Sequence, residues 1–206
     1  MTHCRATRIC HLPSVICHAV IASLLLGACG RPFQVPERIR PLTGNLAGRT
    51  TDNDLTVEAA AIVNEDDLWQ LFEANMILAR ILVVKLTLAN NGRHPVEIKD
   101  VVFRIRDSQG REFEPLKPKD VEDQLYDYYE IRTYVIATRQ ELEEAFQRRA
   151  LDTQKQLTPG EVRQGLVYFK IPEAVDRFGR FETLTLHIEK VRFSEAEKTL
   201  KLLLRH

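Results

Sequence analysis

The segment from Leu82 to Ala89 limits most strongly what this chain can build. In Leu82-Val83-Val84-Lys85-Leu86-Thr87-Leu88-Ala89, the residues Leu82, Val84, Leu86 and Leu88 fall on one side of an extended chain, and Lys85 and Thr87 fall on the other. A period of two suits a half-buried strand and no helix. The signature recurs downstream. Val96 to Arg106 sets Val101, Phe103 and Ile105 inward, and Val162 to Ile171 sets Val167, Phe169 and Ile171 on one face. Phe181 to Phe193 sets Leu184, Leu186 and Ile188 against Thr183, Thr185, His187 and Glu189. Leu55 to Ala59 begins an earlier strand, and Leu200 to Leu204 reads as a closing edge strand. Turn signals separate them: Asn90-Asn91-Gly92, Thr158-Pro159-Gly160, and the hairpin turn Asp107-Ser108-Gln109-Gly110 leading into Arg111-Glu112-Phe113. Short strands with polar outer positions predict a mainly β fold, an antiparallel β-sandwich.

Two segments depart from that period. Asp66 to Asn75 reads as a short helix, with Leu68, Trp69, Leu71 and Phe72 apolar and acidic residues at its start, where they suit the helix dipole. Trp69 is expected in the core. The larger departure, about 119–156, reads as a helical insertion of one or two helices packed on the sheets or covering an edge. Its second half carries the capping box Thr138-x-x-Glu141 followed by Leu142, Ala145 and Phe146. Its first half gathers Tyr126, Tyr128, Tyr129 and Tyr134. Tyrosine offers large contact area and a polar tip, so these four residues are a candidate partner surface; the alternative is that two or three of the rings pack the insertion onto the sheets.

The N-terminus is of another kind. Arg5 and Arg8 precede an apolar stretch from about Val15 to Leu26, and Gly27-Ala28 lead to Cys29. About a dozen apolar residues fall short of the roughly 20 that a spanning helix needs. The profile is that of a signal peptide, residues 1–28, cleaved after Ala28. Leu26-Gly27-Ala28-Cys29 resembles the lipobox of bacterial lipoproteins. That resemblance implies that Cys29 is the lipidated residue, that palmitate-type chains hold the mature protein to a membrane, and that the chain faces the periplasm. Gly30 follows the cysteine where an inner-membrane retention signal would place Asp, so the resemblance favours the outer membrane of a Gram-negative cell. Residues 29–50, with Pro32, Pro36, Pro41, Gly44 and Gly48, read as a lipidated cysteine and flexible linker, and 51–206 as the globular domain.

Composition excludes several function classes. Cys4, Cys10 and Cys17 leave with the leader, so the mature chain keeps Cys29 alone and no disulfide framework is expected. The chain holds 29 basic and 29 acidic residues, and loss of Arg5 and Arg8 leaves it weakly acidic. A near-neutral domain lacks the basic footprint of a nucleic-acid binder. His94, His187 and His206 show no ligand spacing, so no metal and no cofactor are expected. Neither a nucleophile elbow nor a serine–lysine motif is present, and no catalytic residues are assigned.

Three further stretches resemble Ig-like bacterial envelope domains of the DUF4352 type. They are the strand Ile81 to Asn91, the hairpin Asp107-Ser108-Gln109-Gly110-Arg111-Glu112-Phe113, and Leu157-Thr158-Pro159-Gly160-Glu161 followed by Gly165 to Pro172. The resemblance implies an Ig-like sandwich without enzymatic activity. The insertion after Pro118 departs from that pattern. The expectation is a lipid-anchored, non-catalytic envelope module that partners an envelope protein; the alternative is a periplasmic module binding a small ligand or metal.

Overall fold

The computed structural model describes residues 45–129, 136–176, 181–194 and 196–206. Among these described residues, eight strands and three helices follow one another: β1 Leu46–Asp52, β2 Leu55–Ile62, α1 Glu65–Phe72, β3 Ile81–Asn90, β4 Val102–Asp107, β5 Glu112–Leu116, α2 Pro118–Tyr128, α3 Ile136–Arg149, β6 Val162–Lys170, β7 Thr183–Phe193 and β8 Ala196–Arg205. The strands form one antiparallel sheet in the order β1-β2-β3-β6-β5-β4-β7-β8, and β8 pairs back onto β1 through Ala47 and Arg205. The expected Ig-like β-sandwich is therefore corrected to a closed eight-stranded barrel. Alternation separates inward from outward positions, and those sets are the same in a sandwich and in a barrel. The distinguishing fact is whether the last strand meets the first. That first strand lies partly inside the segment read as linker, because Leu46-Ala47-Gly48-Arg49-Thr50-Thr51-Asp52 carries only one large apolar side chain.

Gly48 permits the closure. A Cβ there would lie 2.3 Å from the Leu203 carbonyl oxygen, so β1 and β8 approach only across a glycine. Asn53 and Asp54, both at positive φ, make the two-residue turn between β1 and β2. Lys190, at φ 62°, marks an irregularity between Ile188 and Val191 that bends β7.

The register shows what fills the barrel. Val57 pairs with Leu88, Ala59 with Leu86, and Ala61 with Val84. Across the ring Ile105 pairs with Phe113 and Leu186, and Leu202 pairs with Leu186. All of these residues are buried. An eight-stranded barrel is just wide enough for side chains to fill. Its outer wall carries Arg49, Glu58, Lys85, Arg104, Arg106 and Lys201. A membrane-spanning barrel has the reverse arrangement, apolar outside and polar within. No helix among the described residues is long and apolar enough to cross a membrane.

Asn90 closes one end. It is buried opposite Leu55. Its amide donates to the carbonyls of His94 and Leu157 at 2.8 and 2.9 Å and accepts from the Gly92 N–H at 3.0 Å. Nearby, Glu161 accepts from the Thr158 N–H and hydroxyl and from Arg163. These bonds, the Thr158 backbone foremost, hold its carboxyl down to about 2.

Trp69 is not in the core. Leu71 and Phe72, three and four residues after Leu68 along α1, are buried with it, whereas Trp69 is 46% exposed. One residue along a helix is a rotation of about 100°, which carries Trp69 off the face that Leu68 buries. The strand expected from Val96 begins at Val102, and Val96 makes only an isolated bridge to Leu157. The helix expected to begin at Thr138 already runs from Ile136, so Thr138 is not its cap.

Candidate functional site

Helix α2 organises the surface with the most varied chemistry. Pro118 occupies its first turn, and Asp120 accepts from the Lys117 N–H at 3.1 Å, so the start is capped. Val121, Glu122, Leu125 and Tyr126 are its buried residues, and Asp123, Gln124, Asp127 and Tyr128 lie to either side of that stripe.

Glu122 is 2% exposed, and Arg139 from α3 donates to it. The same guanidinium donates to Asp123 at 2.7 Å and lies 4.6 Å from the centre of the Tyr126 ring. Arg139 thus ties the two helices of the insertion together. The Glu122 bond holds the guanidinium's affinity for its proton above the ordinary arginine value.

Two side chains of this helical region dock it on the turn before β3. Gln124 donates to the carbonyls of Ala79 and Arg80 at 2.6 and 3.1 Å. The Tyr129 hydroxyl accepts from the Asn75 N–H at 3.1 Å and donates to the Asn75 carbonyl at 3.4 Å. Burial pushes the Tyr129 phenol above its ordinary range, so it keeps the proton it donates. The Tyr128 and Tyr129 rings meet edge to face, 4.8 Å apart. Arg80, at φ 56°, donates to the Pro172 carbonyl at 2.9 Å and pairs with Glu173 at 3.1 Å.

Between α2 and this turn runs an open groove of about 610 Å³. Asp120, Asp123, Asp127, Gln124 and Tyr128 form one wall, and Leu78, Ala79, Arg80, Lys170 and Glu173 form the other. Three carboxylates on one wall give it an acidic character, while Arg80 and Lys170 place cations opposite.

The three described tyrosines of the candidate surface separate. Tyr126 is buried, Tyr129 is half-buried and bonded to Asn75, and Tyr128 is half-buried at the groove. Tyr126 thus faces Arg139 of α3, and Tyr129 ties the insertion to the turn before β3. Tyr134, Cys29 and the cleavage position Ala28 lie outside the described residues. Sequence reasoning missed Glu122 and Arg139. The available signal was a carboxylate between Val121 and Leu125 on a helix, one position from the apolar stripe.

A second cleft, about 440 Å³, opens at the Asn90 end between Asp54, Gly92, His94, Phe193 and Lys198. His187 lies on the barrel's outer wall. Burial, then Lys201 and Arg106, hold its imidazole below the ordinary histidine value. Among the described residues, histidines, cysteines and carboxylates form no group of three able to hold a metal ion. No protein-family model matches the chain, and no curated protein matches it.

Proposed function

We propose that the chain is an exported, lipid-anchored, non-catalytic module of the cell envelope. Cys29 carries the acyl chains after cleavage behind Ala28, and the face built by α2 and α3 binds an envelope protein. The groove beside α2 carries this reading. It is open, walled by Asp120, Asp123 and Asp127, and bordered by a half-buried tyrosine, Tyr128, on the outside of a barrel whose interior apolar side chains already fill. Recognition then falls to the outer wall, where a partner presenting lysine or arginine meets Asp127, Asp120 being engaged as the helix cap and Asp123 by Arg139. Protein interfaces favour tyrosine and arginine in this setting. The lipobox resemblance at Leu26-Gly27-Ala28-Cys29 supports the anchor and the outer-membrane, periplasm-facing location. Two or three acyl chains give stable anchoring where one gives only marginal binding.

The small-ligand reading keeps one observation in its favour, the cleft beside Asn90, His94 and Lys198.

Labelling growing cells with radioactive palmitate tests the anchor. The wild type takes up label and Cys29→Ser does not; an unlabelled wild type contradicts the anchor. Comparative capture from detergent-solubilised membranes tests the binding face. Asp127→Lys combined with Tyr128→Ala is expected to lose a partner that the wild type retains. Equal recovery by a folded variant contradicts the assignment of this face.

A further inference from the structure

Resting on the lipid-anchored reading above, we propose that the barrel end at which β1 begins lies against the lipid surface, with Trp69 seated among the headgroups of a zwitterionic leaflet. Three observations converge on this end. The register sets Leu46 opposite Ala61 and Ala47 opposite Arg205, so the start of β1, the end of β2 and the end of β8 lie together. Helix α1 leaves from that same end, and Asn45 binds the chain's entry point to it. The Asn45 amide donates to Asp67 at 2.6 Å and accepts from the Val63 and Asn64 N–H groups at 2.8 and 3.2 Å.

The chain between Cys29 and Asn45 sets the reach. The sixteen Cα-to-Cα steps from Cys29 to Asn45 extend to at most about 55 Å and as a coil span about 22 Å. An 11-residue strand such as β7 is about 35 Å long. The entry end is therefore the end that the anchor holds close, and the Asn90 end reaches the surface only if the tether runs extended along the wall.

Trp69 supplies the contact. It is 46% exposed on α1, and its indole N–H approaches Glu65 at 3.5 Å. An indole prefers the boundary between headgroups and acyl chains. Charge selects the kind of leaflet. On α1 itself Glu65, Asp66 and Asp67 stand in the first turn and no basic residue stands in the last. The helix that carries Trp69 therefore disfavours an anionic surface, Arg205 at the end of β8 offsetting only one of these charges; a phosphatidylethanolamine or phosphatidylcholine leaflet is the one that fits.

Trp69 is the sole tryptophan, so its emission reads this contact alone. The full lipidated chain is placed in phosphatidylcholine vesicles with or without brominated acyl chains, and co-flotation is checked first. The expected result is loss of most Trp69 emission in brominated vesicles and protection from aqueous iodide. A variant with Trp69→Phe and Phe193→Trp, which moves the reporter to the other end, is expected to keep its emission. A chain that floats with the vesicles but shows equal Trp69 emission in both lipids overturns the orientation and leaves the anchor standing. Equal quenching of both reporters overturns it as well. A chain that does not float contradicts the anchor itself.

Discussion

The barrel closes in two places by opposite means. At the β1–β8 seam the sheet closes on itself, strand against strand. Gly48 lets the backbones meet, Ala47 pairs with Arg205, and Leu203 stays half exposed on the outside. Along β6 the ring needs help. The five-residue strand β5 ends at Leu116, opposite Tyr168. The chain leaving α3 takes over from there: Ala150 bridges Leu166, and the Leu151 N–H donates to the Leu166 carbonyl at 2.9 Å. The Phe146 ring covers the Tyr168 ring edge to face at 5.6 Å. A glycine matters here too, because a Cβ on Gly165 would lie 2.3 Å from Leu151 Cα. One junction is made by backbone pairing and the Lys198–Asp52 ion pair at 2.9 Å, and the other by an insertion that supplies backbone and apolar cover together. The insertion is therefore part of the barrel wall, and the groove beside α2 sits on a supported surface.

The largest expected effect tests the covered wall. Phe146→Ala removes a fully buried ring and is expected to cost about 4 kcal/mol in denaturant unfolding. A loss under about 1 kcal/mol would show that α3 packs independently of the barrel. Gly48→Val tests the β1–β8 seam. Its side chain must displace the Leu203 carbonyl, at a cost on the order of 3 kcal/mol. An unchanged midpoint would mean that β1 and β8 do not meet. Arg139→Met sharpens the comparison within the insertion. It strands the buried Glu122 carboxylate and is expected to cost about 2 kcal/mol, reduced because Arg139 itself is 42% exposed. Adding Glu122→Gln should restore most of that loss; a further loss would show that the pair is not the joint between α2 and α3.

The smallest effect is a pH dependence on the outer face of β7, where His187 lies opposite Lys201 of β8. His187 binds its proton less readily folded than unfolded. The unfolded chain therefore holds more protons just below the ordinary histidine value, and stability rises with pH through that window. His187→Gln should flatten the slope of unfolding midpoint against pH between about 5.5 and 7. An identical slope in the variant would assign the dependence to other groups.

Much of the barrel was legible wherever one face is buried and the other wet. Leu82, Val84, Leu86 and Leu88, and Leu184, Leu186 and Ile188, are buried as their alternation predicts. The period fails where both faces are covered or neither is. In β6, Leu166 and Tyr168 on the outer side are as buried as Phe169 within, because the insertion lies over them. β1 was unreadable because small residues suffice at a seam that a glycine closes. Within the candidate site the tyrosine cluster is plain in the sequence, but its helical neighbours carry the joints: Gln124 to the Ala79 carbonyl, Arg139 to Glu122. Those contacts join residues about 17 to 45 positions apart, a range that local periodicity does not reach.

Closure is the claim on which the rest depends, and β1 against β8 is where to look. In an antiparallel pair, directly opposed residues lie about 4.5–5.5 Å apart at their Cα atoms, close enough for a cross-strand nuclear Overhauser effect. The account predicts such an effect between Ala47 and Arg205, alongside those between β1 and β2. Strong β1–β2 and β7–β8 effects with none between Ala47 and Arg205 would mean an open sheet with two free edges, and would contradict the barrel.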